Sequence, residues 1–106
     1  MEIRRDVFQA IADPTRRSIL ILVATGAMGA GAIAKQFSST RQTISKHIQI
    51  LTECGLLTHV QYGREIYYQI NSESMKQIAD FIDPFRKLWE ERFQKMDTIL
   101  DNLKNK

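Results

Sequence analysis

The stretch of sequence that decides the fold is residues 38–55, SSTRQTISKHIQILTECG. Within it, aliphatic residues recur at spacings of four and three, which places them on one side of a helix: Ile44, Ile48 and Leu51. Thr40 is a residue type that caps helix N-termini, and Gly55 stands where a left-handed C-terminal cap belongs. The sequence therefore predicts a helix over about 41–54 that follows a polar turn.

Further helical segments are predicted before that turn. Apolar residues at helical spacing indicate a short helix over 3–11. Asp13-Pro14 is a strong start signal, because aspartate caps free amides and proline is tolerated at the first helical position; this helix should stop near Gly26. Small residues then form a loop or a loose helix entry before a helix over about 30–37. That helix and the one at 41–54 together form a predicted helix-turn-helix.

After Gly55 the spacing of the apolar residues changes from that of a helix to that of a strand. Residues 57–62 and 65–70 alternate on either side of Gly63-Arg64 and are rich in β-branched and aromatic types. This pattern predicts an antiparallel β-hairpin with a glycine turn.

The remainder of the chain is helical in pattern. Asp83-Pro84 predicts a break between a short helix over about 73–82 and a long helix over about 84–103. The predicted fold class is mainly α with a small β-hairpin wing. We expect a winged helix-turn-helix core over 1–72 and a C-terminal helical dimerisation region over 73–106, with residues 1–12 joining the dimer interface of a helical homodimer.

Composition excludes several classes of protein. The chain has 106 residues, of which 43% are hydrophobic and 25% charged, as in an ordinary globular domain. It lacks both a 20-residue apolar run and a secretory signal, so no membrane partner and a cytoplasmic location are expected. Cys54 is the single cysteine, which rules out an internal disulfide. With no nucleophile–base pair, paired carboxylates or glycine-rich phosphate loop, the sequence predicts neither an enzyme nor a cofactor.

Local charge points to nucleic acid more strongly than the net charge of +3 does. Between residues 29 and 52 the chain carries three basic residues and one histidine but no acid. An acid-free stretch can lie against a phosphate backbone without repulsion, although chance on a solvated face is an equally good explanation of charge alone.

The start of helix 41–54 carries the residue types that read DNA. In the major groove, arginine can pair with guanine, glutamine can pair with adenine, and the threonine methyl group can contact thymine. Hydroxyl and basic groups can bind phosphates. The alternative is a polar face that only keeps the helix soluble. The predicted DNA-binding residues lie on this helix, the hairpin tip and two earlier helices: Thr40, Arg41, Gln42, Thr43, Ser45, Lys46, His47, Arg64, Lys35 and Arg16.

The C-terminal region carries a long apolar stripe. Its large side chains recur every three or four residues and exceed what a domain of this size can cover, so pairing with a second copy is expected. The alternative is a helix that folds back on its own chain. The residues predicted to carry dimerisation are Phe85, Trp89, Phe93, Met96 and Leu100.

Taken in order, these segments resemble the ArsR/SmtB-type winged helix-turn-helix repressors. The similarity covers residues 8–20, 33–34, 43–51, 54–57 and 63–70, and the stretch at 85–93 is similar to a subgroup with a long C-terminal helix. It implies a homodimeric bacterial or archaeal repressor that acts on promoter DNA. The two reading helices of a dimer are expected to bind an inverted repeat. The chain departs from the family at Ser39, where an aliphatic residue is common.

Metal sensing is not expected. The metal sites of that family use cysteine pairs on the helix corresponding to 30–37, or Asp/His/Glu sets on the C-terminal helix. Here 30–37 contains neither cysteine nor histidine, and 71–106 contains no histidine, so no metal site is predicted. An unidentified small-molecule or protein inducer stays open, as does the alternative of a winged helix that binds another protein.

Overall fold

A computed structural model describes residues 6–105 of the chain. Its elements, in chain order, are α1 (Val7–Ala10), α2 (Pro14–Ala24), β1 (Met28–Gly29), α3 (Ala30–Ala34), α4 (Arg41–Glu53), β2 (Leu57–Tyr62), β3 (Glu65–Ile70) and α5 (Ser72–Lys104). The chain divides into one unit up to Lys76 and a second from Gln77. The mainly helical fold with a small β wing is confirmed. Within 6–105, no helix has the length and apolarity that crossing a membrane requires.

The core of the first unit consists of aliphatic side chains from the helix-turn-helix and its flanks. Burial of these side chains fixes α3 and α4 against α2, and β2 against α4, since each fully buried aliphatic group contributes about 1.5–3 kcal/mol. Those that are almost wholly inaccessible to solvent are Ile19, Ile33, Ile44, Ile48, Leu51, Leu56 and Leu57.

Both predicted N-caps are confirmed. The Asp13 carboxylate accepts hydrogen bonds from the backbone amides of Thr15 (2.8 Å) and Arg16 (3.1 Å), and Pro14 follows at the first helical position. Thr40 Oγ1 accepts a hydrogen bond from the amide of Thr43 (3.2 Å) at the start of α4. The caps define where α2 and α4 begin, because they satisfy amides that have no partner within the helix.

The pKa of Asp13 reflects its role as a cap. Desolvation raises the pKa of this carboxyl, but the amide hydrogen bonds from Arg16 and Thr15, together with the positive charge of Arg16, outweigh it. The net result is a pKa below the ordinary value for aspartate.

Replacing Asp13 with alanine is expected to lower the free energy of unfolding by about 1 kcal/mol at neutral pH. Because the folded-state pKa is lowered, the contribution of the carboxylate is fully present above the ordinary pKa and is lost as the pH falls through the folded-state value. Urea unfolding at fixed protein concentration measures the difference, with Asp13→Asn as a control that retains a capping oxygen. An equal loss at neutral pH and in acid would contradict this assignment.

The end of α4 also agrees with its sequence. Gly55 has a φ of 81°, in the left-handed region, and its amide donates to the carbonyl of Thr52 (3.0 Å). The next amide, of Leu56, donates to the carbonyl of Leu51 (3.0 Å), and both leucine side chains are buried. This is a Schellman cap, and it turns the chain from α4 into β2.

The predicted hairpin is present and belongs to a larger sheet. β2 and β3 pair antiparallel around Gly63-Arg64, where Gly63 has a φ of 61°. A third strand, β1, pairs antiparallel with β3, with Met28 opposite Tyr68 and Gly29 opposite Tyr67. The sequence predicted a loop or a loose helix entry at this point, because a strand of two residues is too short to show alternation.

Two helices differ from their predicted extent, and one prediction falls partly outside the described chain. α3 ends at Ala34, three residues before the predicted 37. The first helix was predicted over 3–11 and is helical over Val7–Ala10, while 3–5 lie outside the described residues.

The predicted break at Asp83-Pro84 is wrong, since α5 is one helix of 33 residues with Pro84 inside it. Proline removes one amide donor, and the helix continues on both sides of it. The Asp83 carboxylate does not cap a new helix: it pairs with Arg86 (2.8 Å) and Lys87 (3.6 Å), one turn further along the same helix. The hydrogen bond from Arg86 and the charge of Lys87 lower the pKa of Asp83.

Candidate nucleic-acid interface

The outward face of α4 is polar and open. Its inward face contributes three buried aliphatic residues to the core, so the polar residues between them are exposed by helical geometry. They line an open groove of about 700 Å³. The residues lining it are Arg41, Gln42, Thr43, Ser45, Lys46 and Gln49.

Most of these side chains have no partner in the protein. Within residues 6–105, Arg41, Gln42, Ser45 and Lys46 make no side-chain hydrogen bond or ion pair. They are therefore available to an external ligand without first breaking an internal contact. Gln49 was not among the predicted residues; it follows Lys46 by three positions, so same-face spacing would have found it.

The two predicted threonines are joined to each other. Thr40 Oγ1 lies 2.9 Å from Thr43 Oγ1 and also caps α4. The hydroxyl of Thr40 thus has a structural task, while the exposed side chain of Thr43 presents its methyl group and hydroxyl at the start of the helix.

A cleft of about 550 Å³ lies between the start of α3 and the wing. Arg41 and Arg64 both line it, and Arg41 Nη2 lies close to Gly31, where an added Cβ would meet it at 3.9 Å. The carboxylate in this cleft belongs to Glu65, whose Oε2 accepts a hydrogen bond from Tyr67 Oη (2.5 Å) and raises the pKa of that phenol. The structure therefore brings one arginine of α4 and one of the wing to the same opening.

Arg64 and Lys35 are exposed at two other edges of this surface. Arg64 occupies the tip of the β2–β3 hairpin, and Lys35 is the C-cap residue of α3. Neither has a hydrogen-bonding or ionic partner in the described part of the chain. Two exposed cations without internal partners suit contact with a phosphate backbone.

Arg16 and His47, also predicted to contact DNA, occupy a different environment. Each is only partly exposed, and they are hydrogen-bonded to each other, with Arg16 Nη1 lying 3.3 Å from His47 Nδ1. Arg16 is further bound to backbone carbonyls of α1. The structure thus separates this pair from the open groove residues.

The apolar stripe of α5 is uncovered. Its aromatic side chains contact one another along the helix, Phe81 with Phe85 (ring centroids 5.4 Å apart) and Trp89 with Phe93 (4.9 Å). About half or more of each side chain predicted to dimerise is exposed: Phe85 59%, Trp89 62%, Phe93 49%, Met96 57% and Leu100 50%. An exposed apolar surface of this kind marks an interaction site.

No cluster of three or more His, Cys, Asp or Glu residues suited to a metal ion occurs among residues 6–105. Cys54, the single cysteine, is half-buried at the C-cap of α4.

Comparison with known proteins agrees with this architecture. The family model of a helix-turn-helix domain matches residues 2–60. The transcriptional repressor SdpR of Bacillus subtilis (strain 168) is 39% identical over 82 residues, which cover 74% of this chain and 91% of SdpR.

Solved structures give the same result. An ArsR-like transcriptional regulator from Rhodococcus sp. RHA1 is 31% identical, with a TM-score of 0.67 over 88% of each chain. The homodimeric winged helix-turn-helix DNA-binding domain Mb0332 from Mycobacterium bovis is 28% identical, with a TM-score of 0.63, and the match covers 76% of this chain and 75% of that chain. The chain belongs to the ArsR/SmtB-type family of winged helix-turn-helix transcriptional regulators.

Proposed function

We propose that this protein is a homodimeric repressor that binds an inverted-repeat operator in promoter DNA through α4 and the wing. One observation carries the proposal: Arg41, Gln42, Ser45 and Lys46 on the outward face of α4 make no side-chain hydrogen bond or ion pair in the described chain, whereas the inward face of α4 is buried in the core. A helix that is packed on one side, and that carries exposed polar side chains without a protein partner on the other side, is suited to insertion in a major groove.

The residues on that face divide by role. Gln42 can pair bidentately with adenine, Arg41 with guanine, and the methyl group of Thr43 can contact thymine. Lys35, Lys46 and Arg64 supply phosphate contacts, with the hydroxyls of Thr40 and Ser45 beside them. Base contacts provide specificity and phosphate contacts provide affinity and register.

Dimerisation is proposed through the C-terminal region 73–106, with the N-terminal segment 1–12 at the same interface. The support is the exposed apolar stripe of α5 together with the homodimeric state of the similar domain Mb0332. A twofold dimer places two reading helices about 34 Å apart, so the half-sites should lie about 10 bp apart. A cytoplasmic location is part of the proposal, because the promoter DNA of a bacterium or archaeon lies in the cytoplasm.

Binding to DNA at varied salt concentration tests the proposed function. The measurement is fluorescence anisotropy on the DNA upstream of the protein's own coding region, with a shuffled duplex as control. If the six basic groups of a dimer, Lys35, Lys46 and Arg64 of each subunit, meet phosphates, the slope of log affinity against log salt is expected to be about −5. Equal affinity for both duplexes, or an affinity independent of salt, would contradict operator binding and favour a protein-binding winged helix.

Release from DNA is proposed to be independent of metal, with no catalytic step, and to be triggered by an inducer of unknown chemistry. The support is the absence of histidine from 71–106 and of cysteine and histidine from 30–37. Titration with zinc or cadmium during the same anisotropy measurement is expected to leave operator affinity unchanged, and a loss of affinity at stoichiometric metal would overturn this part.

A further inference from the structure

The guanidinium of Arg16 uses all three of its nitrogens on the protein itself. Nε donates to the carbonyl of Ala10 (2.6 Å) and Nη2 to the carbonyl of Gln9 (3.1 Å). Nη1 lies 3.3 Å from Nδ1 of His47 on α4. One side chain of α2 therefore joins α1 to the reading helix.

The local structure explains why arginine stands at this position. α1 has only four residues, and the amide of Ala12 donates to the carbonyl of Gln9 (3.2 Å) where the chain leaves the helix. Arg16 supplies the donor for the carbonyl of Ala10 and a further donor for that of Gln9, and Arg17 Nη1 donates to the carbonyl of Ile11 (2.7 Å). The Asp13 cap fixes the first turn of α2, and with it the direction from which both arginines reach α1.

The contact between Arg16 and His47 also determines the state of the imidazole. Arginine has donors and no acceptor, so Nδ1 of His47 must accept the hydrogen bond. The proton of the neutral ring is then on Nε2. An imidazole with hydrogen on Nδ1, or a doubly protonated ring, cannot form this bond.

We propose that Arg16 and His47 are positioning residues: together they hold α4 in its orientation against α1 and α2, and they act on DNA recognition through that orientation and not through a phosphate contact of their own. The inference rests on the proposed function, because it concerns the helix that reads DNA. It reassigns two residues whose charge and position had suggested DNA contacts.

Charge-preserving and acceptor-preserving variants separate positioning from phosphate contact. Arg16→Lys keeps the charge but lacks the three-pronged geometry, and it is expected to weaken operator binding about tenfold. His47→Leu is expected to do the same, whereas His47→Asn, whose side-chain oxygen replaces Nδ1 as acceptor, should restore most of the affinity. Unchanged operator affinity in Arg16→Lys would overturn the proposal.

The salt dependence provides a second discriminating readout. Arg16→Gln is expected to leave both the salt slope and the affinity for shuffled DNA unchanged. Lys46→Gln is the matched control, which should reduce the magnitude of the slope by about 1.8 in a dimer, because two phosphate contacts are lost. A fall of the same size in Arg16→Gln would show that Arg16 meets a phosphate, and the proposal would be wrong.

A third measurement needs no variant. Nitrogen-15 NMR of the imidazoles in the wild-type protein is expected to show the neutral form of His47 protonated at Nε2, with exposed His59 as the internal comparison. A ring protonated at Nδ1 would overturn the inference. If wild-type protein fails to distinguish operator from shuffled DNA, the proposed function fails, and this measurement still decides whether the bond exists.

Discussion

Replacing Phe93 with aspartate is expected to convert the dimer to monomers and to weaken operator binding by about 10²–10⁴-fold. Phe93 packs edge-on against Trp89 and lies in the exposed apolar stripe of α5. A carboxylate at this position would have to be buried without a partner when two stripes meet, and that desolvation opposes association. Each monomer would then bind one half-site alone, so the gain from simultaneous binding is lost.

Gln94→Asp is the matched control for this substitution. It introduces the same side chain one position along the helix, at an exposed polar residue outside the stripe. Analytical ultracentrifugation gives the oligomeric state, and anisotropy gives operator affinity for both variants. Intact dimers of Phe93→Asp that no longer bind DNA, or monomers that bind as tightly as wild type, would contradict the proposed role of the stripe.

Replacing Gln42 with alanine is expected to weaken binding to the operator by about 1–3 kcal/mol, with relaxed base preference at one position. The side chain is exposed on the first turn of α4 and has no partner within 6–105. Its removal therefore leaves no unsatisfied group inside the protein, and the free energy of unfolding should not change. The expected loss is therefore confined to the free energy of binding to DNA.

Arg64→Ala distinguishes base reading from backbone contact. Arg64 is exposed at the wing tip, so its removal should weaken binding to operator and shuffled DNA alike. Competition binding against a set of operators, each changed at a single base pair, measures both variants. Equal losses on operator and shuffled DNA for Gln42→Ala would exclude Gln42 from the residues that read bases.

The sequence was sufficient for elements whose signals are local and repeated. α4 combines an apolar stripe with a threonine cap at one end and a glycine cap at the other, and each signal independently indicates the same boundaries. The β2–β3 hairpin likewise combines two signals, residues that alternate with the strand period and a two-residue turn that contains Gly63. For the same reason the open face of α4 could be predicted, since helical spacing alone separates buried from exposed positions.

Other features depend on partners that are distant in the sequence. β1 exists because Met28 and Gly29 find β3 almost forty residues later, and nothing in their own side chains favours a strand. The bond between Arg16 and His47 spans 31 residues and requires the packing of α1, α2 and α4. The continuation of α5 through Pro84 was missed because Asp83-Pro84 has the same residue pattern as the true start at Asp13-Pro14.

The pairing of β1 with β3 restricts how the protein can adapt to DNA. Gly29 is both a partner of Tyr67 in the wing and the N-cap of α3, so no flexible linker separates the wing from the helix-turn-helix. The distance along the duplex between the bases that α4 contacts and the phosphates that the wing tip contacts is therefore fixed within each subunit. Operators that differ in the separation of their half-sites can be accommodated by movement between subunits or by bending of the DNA, while the footprint of each half stays the same.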